Sequence, residues 1–118
     1  MVMFSKTFSK LRLSGSKYGK GILVGTDETF IHLSAWGSIE IDEVWLYVSN
    51  ISTSDTCVLT VIWGDDSNSE IVKTIQPQKL TLISPGLLLG NGNIITAYAS
   101  IANKLLIHGY VNRIHSYE

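Results

Sequence analysis

The chain has 118 residues, of which 45% are hydrophobic and only 16% charged, and its net charge is −1. That length suits one domain whose core buries roughly two-thirds of the unfolded surface. The composition excludes disorder. The lone Cys57 excludes an intrachain disulfide framework and any multi-cysteine zinc site.

Charge is unevenly distributed. Residues 1–26 carry Lys6, Lys10, Arg12, Lys17 and Lys20 and no acid, whereas residues 27–118 carry all ten acids and four bases. The two segments are therefore +5 and −6, a basic arm on an acidic body. No stretch approaches the roughly 18 consecutive apolar residues of a membrane helix. The N-terminus lacks the continuous apolar run of a secretory signal, so synthesis in the cytoplasm is expected.

In chain order, the arm over 1–20 mixes Ser and Gly with Phe4, Phe8, Leu11 and Leu13. Positions 4, 8 and 11 suit one face of a short helix, but the Ser and Gly content favours an extended arm. From residue 21 the period becomes two, and residues 21–118 form the expected folded domain. Residues 29–33 make a short strand. Residues 39–49 make the strongest one, with a parity switch around Asp42-Glu43 that suggests a bulge or bend. A polar turn at 50–55 leads to a strand at 57–63. The Gly64-Asp65-Asp66-Ser67-Asn68 turn leads to another at 70–75. A strand at 79–83 is expected to end at Ser84-Pro85-Gly86. Leu87-Leu88-Leu89 then meets the Gly90-Asn91-Gly92-Asn93 turn. Residues 94–101 and 105–114 read as a hairpin. About seven or eight short strands without a long helix predict an all-β antiparallel sandwich, jelly-roll-like, with an extended N-terminal arm.

Both faces of the central strands are apolar. Trp45 and Tyr47 lie opposite Val44, Leu46 and Val48; Tyr98 lies opposite Ala97 and Ala99; His108 and Tyr110 lie opposite Ile107 and Val111. A two-layer sandwich buries only the inner face of each sheet. A surplus face therefore needs a cover, and Trp45, Tyr47, Tyr98 and Tyr110 are the candidate self-association face.

Catalytic patterns are sparse. Asp42 and Glu43 point to opposite faces of a strand and cannot easily converge on one substrate. Asp65-Asp66 lacks the spaced ligands of a calcium loop and reads as a solvated turn. His32, His108 and His115 are too scattered for a local metal motif; a metal or catalytic role would require them to meet in space with a carboxylate, and they read as strand-face or interface histidines. Cys57 sits in an apolar run and reads as a reduced core thiol. The Gly-rich turns lack phosphate-loop spacing. No cofactor, metal or enzymatic activity is expected.

Several runs carry a resemblance. Gly21-Ile22-Leu23-Val24-Gly25-Thr26 leads to Ile31-His32, then to Asp42-Glu43-Val44-Trp45-Leu46-Tyr47 and Asn50. A strand ending Trp63-Gly64, then Pro85-Gly86-Leu87, then Gly109-Tyr110-Val111-Asn112-Arg113-Ile114 follow. Over 21–114 the chain resembles small β-sandwich virion proteins of tailed bacteriophages. The resemblance implies a non-enzymatic structural protein, a capsid cement or decoration protein on the outside of the shell, or a neck or tail component. It implies the major capsid protein of the same phage as partner, a homotrimer, and a place in the virion. The arm then docks, through Phe4, Lys6, Phe8, Lys10, Leu11, Arg12, Lys17 and Lys20. Protein docking is favoured over nucleic acid because the body is acidic and shows no basic groove. The alternative is a host-surface or carbohydrate-binding sandwich that uses Trp36, Trp45 and Trp63 as stacking platforms.

Overall fold

Alternating side chains become paired strands along most of the described chain. The computed structural model describes the backbone over residues 5–66 and 68–117 and the side chains over 9–66 and 68–115. The strands are β1 (Ser5–Arg12), β2 (Ile22–Leu23), β3 (Thr29–Leu33), β4 (Glu40–Asn50), β5 (Cys57–Trp63), β6 (Glu70–Ile75), β7 (Leu80–Gly90), β8 (Ile94–Ala99) and β9 (Leu105–Tyr117). The first sheet runs β1-β9-β4-β7 and the second runs β3-β8-β5-β6, with antiparallel pairing throughout. Strand β2 continues β1 along the same edge of β9. From β2 onward successive strands alternate between the two sheets except for the β5–β6 hairpin, which stays in the second, and this order makes the fold an all-β sandwich of jelly-roll type.

The core lies between the sheets. Val44, Leu46 and Val48 of β4 and Leu105, Ile107 and Val111 of β9 face Leu59 and Val61 of β5 and Ile95 and Ala97 of β8, all buried. Cys57 is a free thiol in this core.

Three expectations need correction. First, β4 has no bulge at Asp42-Glu43. Its register against β9 is unbroken from Glu40 to Asn50, and every even position from Asp42 onward is buried. The parity switch arises because Ile39 is exposed and Asp42, a charged residue, points into the interior. Second, β7 does not stop at Ser84-Pro85-Gly86 but runs to Gly90. The break appears as two register shifts against β4, at Val44/Trp45 and Leu46/Tyr47. Pro85 is tolerated because β7 is an edge strand with one side free of ladder bonds. Third, the arm is not separate from the body where it is described. Its residues 5–12 are β1, paired over their full length with β9.

The segment between β1 and β2 leaves the first sheet and crosses to the second. Leu13 is fully buried in the core. Gly15 donates its N–H to the Ile31 carbonyl at 2.8 Å, and a Cβ there would lie 2.5 Å from the Phe30 carbonyl oxygen. Only glycine allows this approach. A 3-10 turn at Lys17–Gly19 returns the chain to β2. Among the described residues no helix is long and apolar enough to cross a membrane.

Candidate assembly interface

The outer face of the first sheet follows from the β4–β9 register. Trp45 pairs with Tyr110, Tyr47 with His108, Glu43 with Asn112, Ile41 with Ile114 and Ser49 with Leu106. All of these side chains alternate with the buried set and so point outward. The Trp45 and Tyr110 rings stack with centroids 6.1 Å apart and planes 11° apart. The Trp45 indole N–H donates to Glu43 Oε1 at 2.9 Å, and Asn112 Nδ2 donates to the same oxygen at 3.2 Å. These two bonds hold the Glu43 carboxyl below its ordinary value. Gly86 makes room for Trp45: a Cβ there would lie 3.1 Å from the indole, at φ +81°. On β7 the same face carries Leu80, Leu82 and Leu88, which are 67%, 45% and 54% exposed. Leu23, opposite Leu106, extends it across β9.

The structure joins one part of the arm to this face. Lys10 stands with its Nζ 4.4 Å from the Tyr110 ring centroid, a cation–π contact within one chain. Leu11, Arg12, Lys17 and Lys20 are also exposed. Phe4 lies outside the described residues, as do the side chains of Lys6 and Phe8. The four aromatics expected to share one face do not. Trp45, Tyr47 and Tyr110 are together, but Tyr98 is on β8, on the outside of the second sheet opposite Thr60. Strand parity set the inward or outward sense of each residue, and the sheet assignment separated them. The three tryptophans also diverge. Trp36 is 69% exposed between β3 and β4, Trp45 is on the outer face, and Trp63 packs against the core and donates to the Leu88 carbonyl at 3.3 Å.

A second feature was not visible in the sequence. The register shift between Phe30 and His32 in β3 turns both Ile31 and His32 inward, where both are buried. His32 Nε2 lies 2.7 Å from Asp42 Oδ2. Asp42 also accepts from Arg113 Nε at 2.8 Å, Arg113 Nη2 at 3.1 Å and the Ala35 N–H at 3.2 Å. On the other side, the Ser14 N–H donates to His32 Nδ1 at 3.0 Å. That bond requires a lone pair on Nδ1, so the ring proton sits on Nε2 and faces Asp42. Ser14 Oγ is 2.9 Å from Nδ1 and is bracketed by the Leu33 N–H and carbonyl, both at 3.2 Å. A Ser–His–Asp order with these distances resembles a hydrolase relay. Here, however, Ser14's own N–H occupies the base's lone pair, and its hydroxyl is tied into the Leu33 backbone. The arrangement clamps the crossing segment to both sheets. Burial pushes the Asp42 carboxyl up, but the hydrogen bonds from His32 and Arg113 and the Arg113 charge outweigh it and bring it down to about 2. Asp42 in turn raises Arg113 above its ordinary value.

The remaining expected sites stand apart. Asp65 and Asp66 are exposed, and Asp66 Oδ1 accepts the Asn68 N–H at 3.0 Å, as a turn residue does. His115 lies 3.1 Å from Glu40. Among the described residues no group of three His, Cys, Asp or Glu is placed to hold a metal.

No family model and no curated protein matches this chain. Among solved structures, it is similar to a subunit of Bacillus endospore appendages, described as a novel family of disulfide-linked pili, with a TM-score of 0.58 and 7% identity. That match covers 99% of this chain and 93% of the other. At such identity the likeness is one of fold: an all-β sandwich comparable over nearly its whole length.

Proposed function

We propose that this protein is a structural subunit that acts by association. Copies pack through the outer face of the first sheet, on a phage particle as a cement or decoration protein. The supporting observation is that face itself. Leu23, Leu80, Leu82 and Leu88 stand exposed around the stacked Trp45 and Tyr110, and no part of the described chain covers them. An exposed apolar surface on a lightly charged protein marks an interaction site. Each leucine fully buried by a partner contributes roughly 1.5–3 kcal/mol, and repetition on a lattice strengthens weak contacts further. The particle setting, the capsid partner and the trimer rest on the sequence resemblance. The test is light scattering over a wide concentration range, followed by addition to purified particles. A mass above 13.0 kDa that rises with concentration and particles that take up the protein support the reading. A monomer that stays off particles overturns it.

A filament subunit is the second reading, favoured by the fold likeness to a pilus subunit. Such a filament would be non-covalent, because Cys57 is the chain's sole cysteine and is buried. Electron microscopy of the concentrated protein separates the two: filaments that survive reductant support the second reading. The carbohydrate reading has no shared platform behind it, since the three tryptophans occupy different places.

A further inference from the structure

The chain contains two arginines, Arg12 and Arg113, against seven lysines. Both line the same open pocket of about 320 Å³, together with Leu11, Ser14 and His32. We propose that this pocket is a binding site for a carboxylate, held between the two guanidinium groups. Arginine rather than lysine is the residue that grips a carboxylate with a planar fork; here Arg12 offers such a fork and Arg113, whose own fork holds Asp42, adds one further donor. Arg12 Nη1 donates to the Ser16 carbonyl at 2.8 Å, and its Nε and Nη2 have no partner among the described residues. Arg113 Nε and Nη2 are fixed on Asp42, and its Nη1 has no such partner. Such tethering lowers the entropy lost on binding.

The nearby acids do not fill this role. Asp42 is fully buried and shared between Arg113, His32 and the Ala35 N–H. Glu40, which also acts on Arg113, lies 3.1 Å from His115. Arg12 therefore brings a positive charge that no carboxylate pairs with among the described residues. Leu11, 37% exposed, supplies an apolar wall beside the cations. That wall suits a carboxylate on a short hydrocarbon stem, as in a small organic acid or an acidic side chain, better than a bare inorganic anion. The inference goes beyond the assembly reading and stands or falls separately from it.

The experiment titrates the full chain, labelled with nitrogen-15, with succinate, and uses sodium chloride of matched ionic strength to remove general screening. The readout is the Nε–H resonance of each arginine. Both should move saturably, with a dissociation constant of about 1 mM or tighter. Arg12→Gln should weaken binding about tenfold or more. Arg12→Lys, which keeps the charge and loses the fork, should weaken it as well. Arg12 is exposed at the end of an edge strand, and an unchanged amide spectrum shows that each variant is folded. Lys20→Gln, outside the pocket, should bind as the parent does. Shifts that match chloride alone, or an Arg12→Gln protein that binds normally, overturn the proposal. Light scattering on the same samples identifies the source of the carboxylate. A mass that falls as succinate saturates the pocket points to an acidic side chain of a second copy, and an unchanged mass points to a free acid. If binding fails while self-association persists, the pocket is wrong and the assembly reading is untouched.

Discussion

Asp42 of β4 ties β3 to β9 through His32 and Arg113. It is a fully buried carboxylate that accepts four hydrogen bonds from three residues. A buried charge is retained only when it is paired and hydrogen-bonded. Removing its charge strands Arg113, so Asp42→Asn should lower stability by about 3 kcal/mol or more, read as a shift of the urea midpoint. The pH dependence has a definite sign. The folded-state value of about 2 lies below the ordinary 3.8, so folding favours the ionised form. The stabilisation is complete above about pH 4 and disappears as pH falls through about 2, a change of about 2 kcal/mol. Urea melts between neutral pH and pH 2 should show this loss in the parent and a smaller one in Asp42→Asn.

At the scale of elements, the crossing segment between β1 and β2 decides what the basic arm is. Leu13 enters the core, Gly15 rests on β3, and Ser14 holds His32. Leu13→Ala should therefore cost about 2–5 kcal/mol, as in other buried Leu truncations. Gly15→Ala should also destabilise, because its Cβ meets backbone that cannot move aside. Deletion of residues 1–20 removes both β1 and Leu13 from the fold. The truncated chain should melt at lower temperature than the parent, measured by circular dichroism. A dispensable tether would leave the melt unchanged. Strand β7 shows the reverse situation. Pro85 looked like a terminator, yet an edge position absorbs it through register shifts.

At the scale of the whole molecule, the two sheets present different outer surfaces. The first carries Trp45, Tyr47, Tyr110 and the exposed β7 leucines, and the second carries Tyr98, Phe30, Val58 and Val72. A charge placed under a partner is costly. Tyr47→Lys should therefore weaken self-association about tenfold or more, which a concentration series of light-scattering masses would read. Tyr98→Lys, on the other sheet, should leave the association unchanged. Equal effects from both would mean that the second sheet takes part as well.

The sequence by itself determined the fold class and the inward or outward sense of most strand residues, because period-two alternation is a local property of extended backbone. Val44, Leu46 and Val48 were legible as core and Trp45 and Tyr47 as their opposites from spacing alone. Only the tertiary structure decided which strands are neighbours. It therefore decided that Tyr98 leaves the company of Tyr110 and that residues 5–12 complete a sheet. The same holds for the buried clamp and the arginine pocket. Ser14, His32, Asp42 and Arg113 are far apart in sequence and meet through one strand bulge, one crossing segment and the pairing of β4 with β9. Long-range pairing and a bulge's re-aiming of a side chain leave no local periodicity to read. The one trace in the sequence, the break in parity at Asp42, records a charge whose partners only the folded chain supplies.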